Sequence, residues 1–302
     1  MTRAAEGTTR RRRGGKASAA TIPVVILCGG EGSRLREETE IRPKPMLEIG
    51  SRPILWHIMK LYASHGLKDF ILCLGYKGHV IKDYFLNYKT YGSDLTVRLD
   101  SPHAVTFHNS HGEEDWQVTL VETGQKAMTG TRVARAAKYV NADTFCLTYG
   151  DGLGNIDIEA LLEFHRRHGK LGTVTGVRPT SRFGELRGKD NQVVEFNEKP
   201  QAAEGLINGG FFVFQREFVD QYLRADDESC SLEREPLQRL AKDQQLMVLV
   251  HEGFWQPMDT SREWRLLNEL WESGKPPWWV TPRAGRGEGM TSPKRSMQRS
   301  AR

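Results

Sequence analysis

Long apolar runs are absent from this 302-residue chain. No stretch approaches the ~18–20 apolar residues that span a bilayer, so no membrane partner is expected. Cysteine is scarce as well. Cys28, Cys73, Cys146 and Cys230 lie far apart with no Cys-x-x-Cys spacing. That argues against a disulfide framework or a zinc knuckle and fits a reducing cytoplasm. The two ends lack core-forming residues. Residues 1–21 contain no aromatic residue and no leucine, and residues 283–302 are mostly Arg, Gly, Ser and Met. Such segments bury too little apolar surface to offset their ordering entropy, so disordered tails are expected at 1–21 and 281–302. No apolar h-region follows the basic N-terminus, and its apolar content is low for an amphipathic face. Neither a secretory signal nor a transit peptide is expected.

Excess acid is also lacking overall. The formal charge is +5, with a pI of about 9.0. Taken alone, that invites a nucleic-acid reading. The charge is unevenly placed, however. Each tail carries six basic residues against one acid, +5 apiece, which leaves the body at −5. The basic pI belongs to the tails. The Arg10–Arg13 run reads as part of an inert extension, and no nucleic acid is expected as partner.

What is present is a body over about 22–280 in which apolar runs alternate with helix-period segments. Val24–Leu27, Phe70–Leu74, Thr144–Tyr149 and Leu171–Val177 read as buried strands. Ile54–Tyr62, Val80–Tyr88 and Ile158–His168 read as helices. Repeated β-α-β units with continuous apolar strands predict an α/β fold with a mostly parallel sheet covered on both faces. The span 93–121 breaks this rhythm. Leu95–Leu99, Val105–His108 and Trp116–Leu120 alternate apolar and polar residues. They predict an antiparallel or edge-strand excursion, either a solvent-facing hairpin or an oligomer interface. His165 and His168 lie three apart on a helix with no acidic third ligand, so they read as solvated rather than metal-binding. Trp278-Trp279 is expected to pack the C-terminal segment onto the body.

Two segments carry chemistry. In Leu27-Cys28-Gly29-Gly30-Glu31-Gly32-Ser33-Arg34-Leu35 a strand enters a glycine-rich loop bearing a hydroxyl and an arginine. Glycines let the backbone approach an anion, and successive N–H groups can cradle phosphate. The loop is neither a Walker A motif nor G-x-G-x-x-G. Downstream stands Arg42-Pro43-Lys44-Pro45-Met46, where two prolines are expected to clamp one lysine in an extended backbone.

Together these segments resemble the signature of the sugar-phosphate nucleotidyltransferases. The likeness continues through Met46–Gly50, Pro53–Met59, Gly75–Gly78, Trp116–Gly124, Met128–Arg132 and Gly253–Thr260, a set similar to the cytidine-nucleotide branch of that family. It covers about Ile22 to Trp279. The resemblance implies a Rossmann-like mixed sheet of the nucleotide-diphospho-sugar transferase type. It also implies a reaction of CTP with glucose 1-phosphate that yields CDP-glucose and pyrophosphate, with Mg²⁺ as cofactor. A homo-oligomer, often a hexamer built partly through 93–121, is implied as well, as is a place in making deoxyhexose precursors for surface polysaccharide.

By the same resemblance, Leu27, Cys28, Gly29, Gly30, Glu31, Gly32, Ser33 and Arg34 wrap the triphosphate. Arg34, Lys44 and Lys199 are the catalytic cations. Asp151 and Asp259 jointly hold the metal. Thr123, Gly124, Ala127, Thr129, Gly130 and Arg132 form the base pocket, where Arg132 and backbone groups read the cytosine edge. Ala127 stands where relatives often carry Ser. Gly150 borders the nucleotide. Glu198, Lys199, Asn208 and Gly209 hold the sugar phosphate, and Arg182-Phe183-Gly184 lines the same side. In-line attack by an already ionised phosphate needs no general base, which fits the lack of any Ser-His-Asp set. Three alternatives stay open: the same reaction with UTP or dTTP, a catalytically silent regulatory homologue, and a nucleic-acid binder driven by the tails.

Overall fold

The computed structural model describes residues 21–32, 35–101, 104–108, 115–178, 185–189, 192–197 and 205–279. Both expected tails lie outside these residues, as do Ser33, Arg34, Arg182, Phe183, Gly184, Glu198 and Lys199. Seven strands form the main sheet: β1 (Val24–Leu27), β2 (Asp69–Leu74), β3 (Gln117–Glu122), β4 (Thr144–Tyr149), β5 (Gly172–Val177), β6 (Ile207–Gln215) and β7 (Leu246–His251). Their spatial order is β7-β5-β6-β4-β1-β2-β3. Only β6 runs against its neighbours, so the sheet is mixed but mostly parallel.

Strand side chains alternate in direction, and β1 shows the consequence. Val24 and Ile26 enter one core while Val25 and Leu27 enter the other. The first core is closed by the helices Ile54–Ser64, Ile158–His168 and Ser261–Glu272. The second is closed by Thr129–Ala136, Glu217–Tyr222 and Glu235–Lys242. A buried strand between two covered faces needs a continuous apolar run, and that is what the sequence shows at β1, β2 and β4.

In the 93–121 excursion the edge-strand alternative holds for the third segment: Gln117–Glu122 pairs in parallel with β2 and forms the sheet edge. Leu95–Val97 and Val105–Phe107 do form a separate antiparallel pair. The helix expected over 80–88 spans Gly78–Leu86, and a further short helix, Tyr88–Gly92, follows it. His165 is not solvated but fully buried. Its Nδ1 and the Nε2 of His168 both reach the hydroxyl of Thr173, and the amide of Gln215 meets His165 Nε2. Burial lowers His165 to about 4, so the ring stays neutral and ties the helix to β5 and β6. Trp278 is buried as expected, its indole N–H directed at His57 Nδ1. No described helix is long and apolar enough to cross a membrane.

Candidate active site

The parallel strands β1, β2 and β4 end on the same edge of the sheet, where ligands of open α/β sheets bind. Gly150, just past β4, decides how closely these ends converge. Its N–H donates to the carbonyl of Leu27. A Cβ there would sit 2.8 Å from that carbonyl and 3.1 Å from Pro45 Cγ. Only glycine therefore lets β4, β1 and the lysine-bearing loop meet, and that meeting brings Lys44 beside Asp151.

Lys44 does not sit in extended backbone. Pro43 is extended (φ −69°, ψ 152°), but Lys44–Met46 forms one turn of 3-10 helix. A proline in a first helical turn loses nothing by its missing N–H, so Pro45 favours the turn, which closes through Met46 N–H to Pro43 O and Leu47 N–H to Lys44 O. The Lys44 ammonium then lies 2.7 Å from Asp151 Oδ2 and 2.6 Å from Asp259 Oδ1, with its side chain 12% exposed. Burial by itself would lower the lysine. The two carboxylates outweigh it and hold the ammonium above its ordinary value.

Asp259 lies far from Asp151 in sequence, and a short ladder joins them. Gly152–Gly154 pairs antiparallel with Trp255–Pro257, and Met258 N–H donates to Asp151 O. Asp259 N–H donates to the Glu263 carboxylate, and Thr260 and Glu263 form a reciprocal capping box at the start of the Ser261–Glu272 helix. The backbone of the second carboxylate is thus fixed from both sides. Two carboxylates sharing one cation are the hard-oxygen donor set that suits Mg²⁺, an ion that keeps waters and takes further oxygens from substrate phosphates. Among the described residues no cluster of three or more His, Cys, Asp or Glu side chains is present. A pair of carboxylates fits that mode of binding.

On the base side the outcome for Arg132 differs from the expectation. Its guanidinium is buried and donates to the carbonyls of Leu74, Gly124, Gly29 and Gln125 and to the Thr123 hydroxyl. The Thr123 hydroxyl in turn donates to Leu74 O. Arg132 therefore staples the glycine-rich loop to the segment after β3, and its donors are committed to backbone. Gly29 and Gly75 leave the room it occupies: a Cβ on either would lie within 2.3 Å of its guanidinium. Gly130 has a similar reason, since a Cβ there would meet Cys230 O at 2.8 Å. Leu27, Cys28 and Ala127 are buried side chains, so they can meet a ligand only through backbone. Gly30 is exposed with open space before it, Glu31 is exposed, and Gly32 takes a left-handed turn at φ +63°.

On the other side of Asp151 lies a cavity of about 850 Å³. Asn208, Gly209, Tyr149 and Trp255 line it, with Asp151 and Asp259 at one end. Asn208 Nδ2 donates to the Tyr149 hydroxyl, the Tyr149 hydroxyl donates to Glu233, and the Trp255 indole donates to Gly209 O. Glu233 also accepts from Thr129 and Ser231, so it links the start of the Thr129–Ala136 helix to Tyr149 and the cavity. Burial, reinforced by Glu233, pushes the Tyr149 phenol up. Sequence reasoning did not single out Tyr149, Glu233, Trp255 or Arg262, which line or border this cavity; of these only Trp255 stood within a segment of family likeness, Gly253–Thr260.

Residues 23–263 match the nucleotidyl transferase family. The chain is 50% identical over 258 residues to the glucose-1-phosphate cytidylyltransferase of Salmonella typhimurium, covering 85% of this chain and 98% of that protein. It is equally similar to the glucose-1-phosphate cytidylyltransferase of Salmonella typhi. Among solved structures, HddC from Yersinia pseudotuberculosis superposes with a TM-score of 0.61 at 21% identity, over 83% of this chain and all of that one; this likeness concerns the fold alone. Alike over nearly the whole length of these relatives, this chain belongs to the nucleotidyl transferase family, and within it with the glucose-1-phosphate cytidylyltransferases.

Proposed function

We propose that the chain joins CTP and α-D-glucose 1-phosphate to give CDP-glucose and pyrophosphate. The observation that carries this reading is the 50% identity to a glucose-1-phosphate cytidylyltransferase across 98% of that protein, together with Lys44 poised between Asp151 and Asp259. A phosphate oxygen of the sugar phosphate attacks the α-phosphorus of CTP in line. The bond to the bridging oxygen breaks, and pyrophosphate leaves. The attacking oxygen is already ionised, so positioning and charge neutralisation supply the catalysis.

Lys44 places up to three N–H donors at the reacting phosphates once substrate oxygens replace the aspartates as its partners. Gly29, Gly30 and Gly32 let the loop backbone wrap the triphosphate. Arg34 is assigned to the leaving pyrophosphate, and Lys199 and Glu198 to the sugar phosphate and sugar hydroxyls, all on the strength of the sequence motif. Asp151 and Asp259 would hold Mg²⁺, which supplies Lewis-acid stabilisation of phosphate charge when bound. Thr123, Gly124, Ala127, Thr129 and Gly130 shape the base pocket. Arg132 holds its walls and reaches the base edge only if a staple is exchanged for it. Asn208, Gly209 and Tyr149 meet the hexose.

A homo-oligomer is part of this reading. Leu99 (92% exposed), just past the first strand of the Leu95–Phe107 hairpin, and Leu86 (80%) and Tyr91 (62%) on the two helices that precede it are apolar surface of the kind that subunit contacts cover. Four buried free thiols suit a reducing cytoplasm. Pyrophosphate release from CTP, UTP, dTTP, ATP and GTP with glucose 1-phosphate tests the reaction. CTP is expected to give the highest kcat/KM, and a preference for UTP or dTTP overturns the cytidylyl assignment.

A further inference from the structure

The cavity beside Asp151 and Asp259 must admit an anion, yet its described wall carries three carboxylates, Asp151, Asp259 and Glu263, and one cation, Arg262. Lys44 is already shared between the two aspartates. Beside Lys199 and a metal at the two aspartates, a sugar phosphate dianion entering this space would meet one further cation on the described wall, Arg262.

The Ser261–Glu272 helix provides it through its periodicity. Trp264, Leu267, Asn268 and Trp271 face inward. Trp264 and Asn268 bond the carbonyl of Glu48, Leu267 is fully buried, and Trp271 packs edge-on against His57. Arg262 and Leu266, four apart, share the opposite stripe and line the cavity with Glu263. Among the described residues Arg262 makes no ion pair and no side-chain hydrogen bond. Glu263, by contrast, is held by the backbone N–H groups of Asp259 and Thr260. A cation in the first turn of a helix works against the helix dipole, so no local stabilisation accounts for Arg262 at this position. Asn208, Gly209, Gly210, Trp255 and Gln256 also line this cavity, and no residue of the glycine-rich loop is among its described lining residues.

We propose that Arg262 is a further substrate-binding residue that receives the phosphate of the hexose 1-phosphate from the face opposite the glycine-rich loop. The assignment rests on the reading that this cavity takes the sugar phosphate. Arginine suits the task because its planar fork meets a phosphate bidentately and stays charged at every working pH. Its exposure at the cavity mouth also lets it attract the dianion before docking, an effect that salt weakens.

Steady-state pyrophosphate release by the full chain, Arg262→Gln and Arg262→Lys is the test, with each substrate varied while the other saturates. For Arg262→Gln, KM for glucose 1-phosphate is expected to rise about tenfold, with KM for CTP and the melting temperature nearly unchanged; Arg262→Lys, which keeps the charge but loses the bidentate fork, should recover only part of the loss. The salt dependence of the sugar-phosphate KM should flatten in Arg262→Gln, which a merely structural residue would not cause. An unchanged sugar-phosphate KM, or an effect confined to KM for CTP, overturns the assignment while wild-type turnover keeps the functional reading intact. Failure of the wild-type chain to use glucose 1-phosphate at all overturns that reading instead.

Discussion

Lys44 holds two carboxylates that the proposed reaction needs for a metal ion, so ammonium and metal compete for the same oxygens. With its side chain 12% exposed and contacts of 2.6 and 2.7 Å, the lysine keeps Asp151 and Asp259 together against their mutual repulsion. Replacing it leaves two close carboxylates without a cation, an arrangement that is costly by itself and that a divalent ion relieves. Lys44→Met is therefore expected to lower kcat by about 10²–10³-fold, the usual cost of a lost transition-state donor. It should also make the substrate-free protein bind Mn²⁺ or Mg²⁺ more tightly. Calorimetric titration of the metal into both proteins measures this second effect. Weaker metal binding in the variant would show that the aspartates are organised by the lysine rather than shared with a metal.

Among the elements, those with a single period and two apolar faces were legible. β1, β2 and β4 read as continuous apolar runs because they are covered on both sides, and the Ile158–His168 helix read from its apolar stripe; the structure adds an Asp157 cap and a left-handed Gly169 at its end. β3 alternates because an edge strand is covered less completely, which the edge-strand alternative allowed, although it pairs in parallel. Residue type was legible where a close approach demands glycine, as at Gly29 and Gly150, whereas the extended backbone expected for Lys44 gave way to a 3-10 turn. Pairing of Asp151 with Asp259 was carried by family likeness alone, since the ladder that joins them is only three residues long. The Glu233 bridge had no sequence signal, because side-chain contacts between distant segments leave no period.

The contact between the Ile54–Ser64 helix and Trp278 makes a prediction at this scale. His57 is buried, with Nε2 directed at Ile49 O and Nδ1 accepting from the Trp278 indole, and burial lowers it to about 4 from 6.5. Below pH 6.5 the unfolded chain takes up a proton that the folded chain refuses until pH nears 4. This contribution to stability is therefore complete above pH 6.5 and is lost as pH falls toward 4, amounting to about 2 kcal/mol at pH 5. Chemical unfolding at pH 7.5 and pH 5 should show a smaller difference in His57→Gln than in the parent chain. Equal pH dependence in the two would mean that His57 titrates normally.

At the scale of the whole molecule, the basic tails and the acidic body divide the chain's charge. The body must bind two anions, a nucleoside triphosphate and a sugar phosphate, while its own net charge is negative. Long-range attraction by the body works against that, so affinity has to arise within a few ångströms, from Lys44, Arg262, loop N–H groups and a metal at Asp151 and Asp259. Such contacts are screened far less by salt than a diffuse field is. The tails offer the opposite, a diffuse positive field that salt removes. Deleting residues 1–21 and 281–302 takes away that field and leaves the body, which separates the two contributions. If local contacts carry binding, the truncated protein keeps kcat and both KM values within about twofold at any ionic strength, and light scattering reports the same oligomer as for the full chain. A rise in KM for CTP that appears only at low salt would instead mean that the tails gather nucleotide for an acidic enzyme. A loss of assembly would place subunit contacts in the tails rather than at the Leu95–Phe107 hairpin.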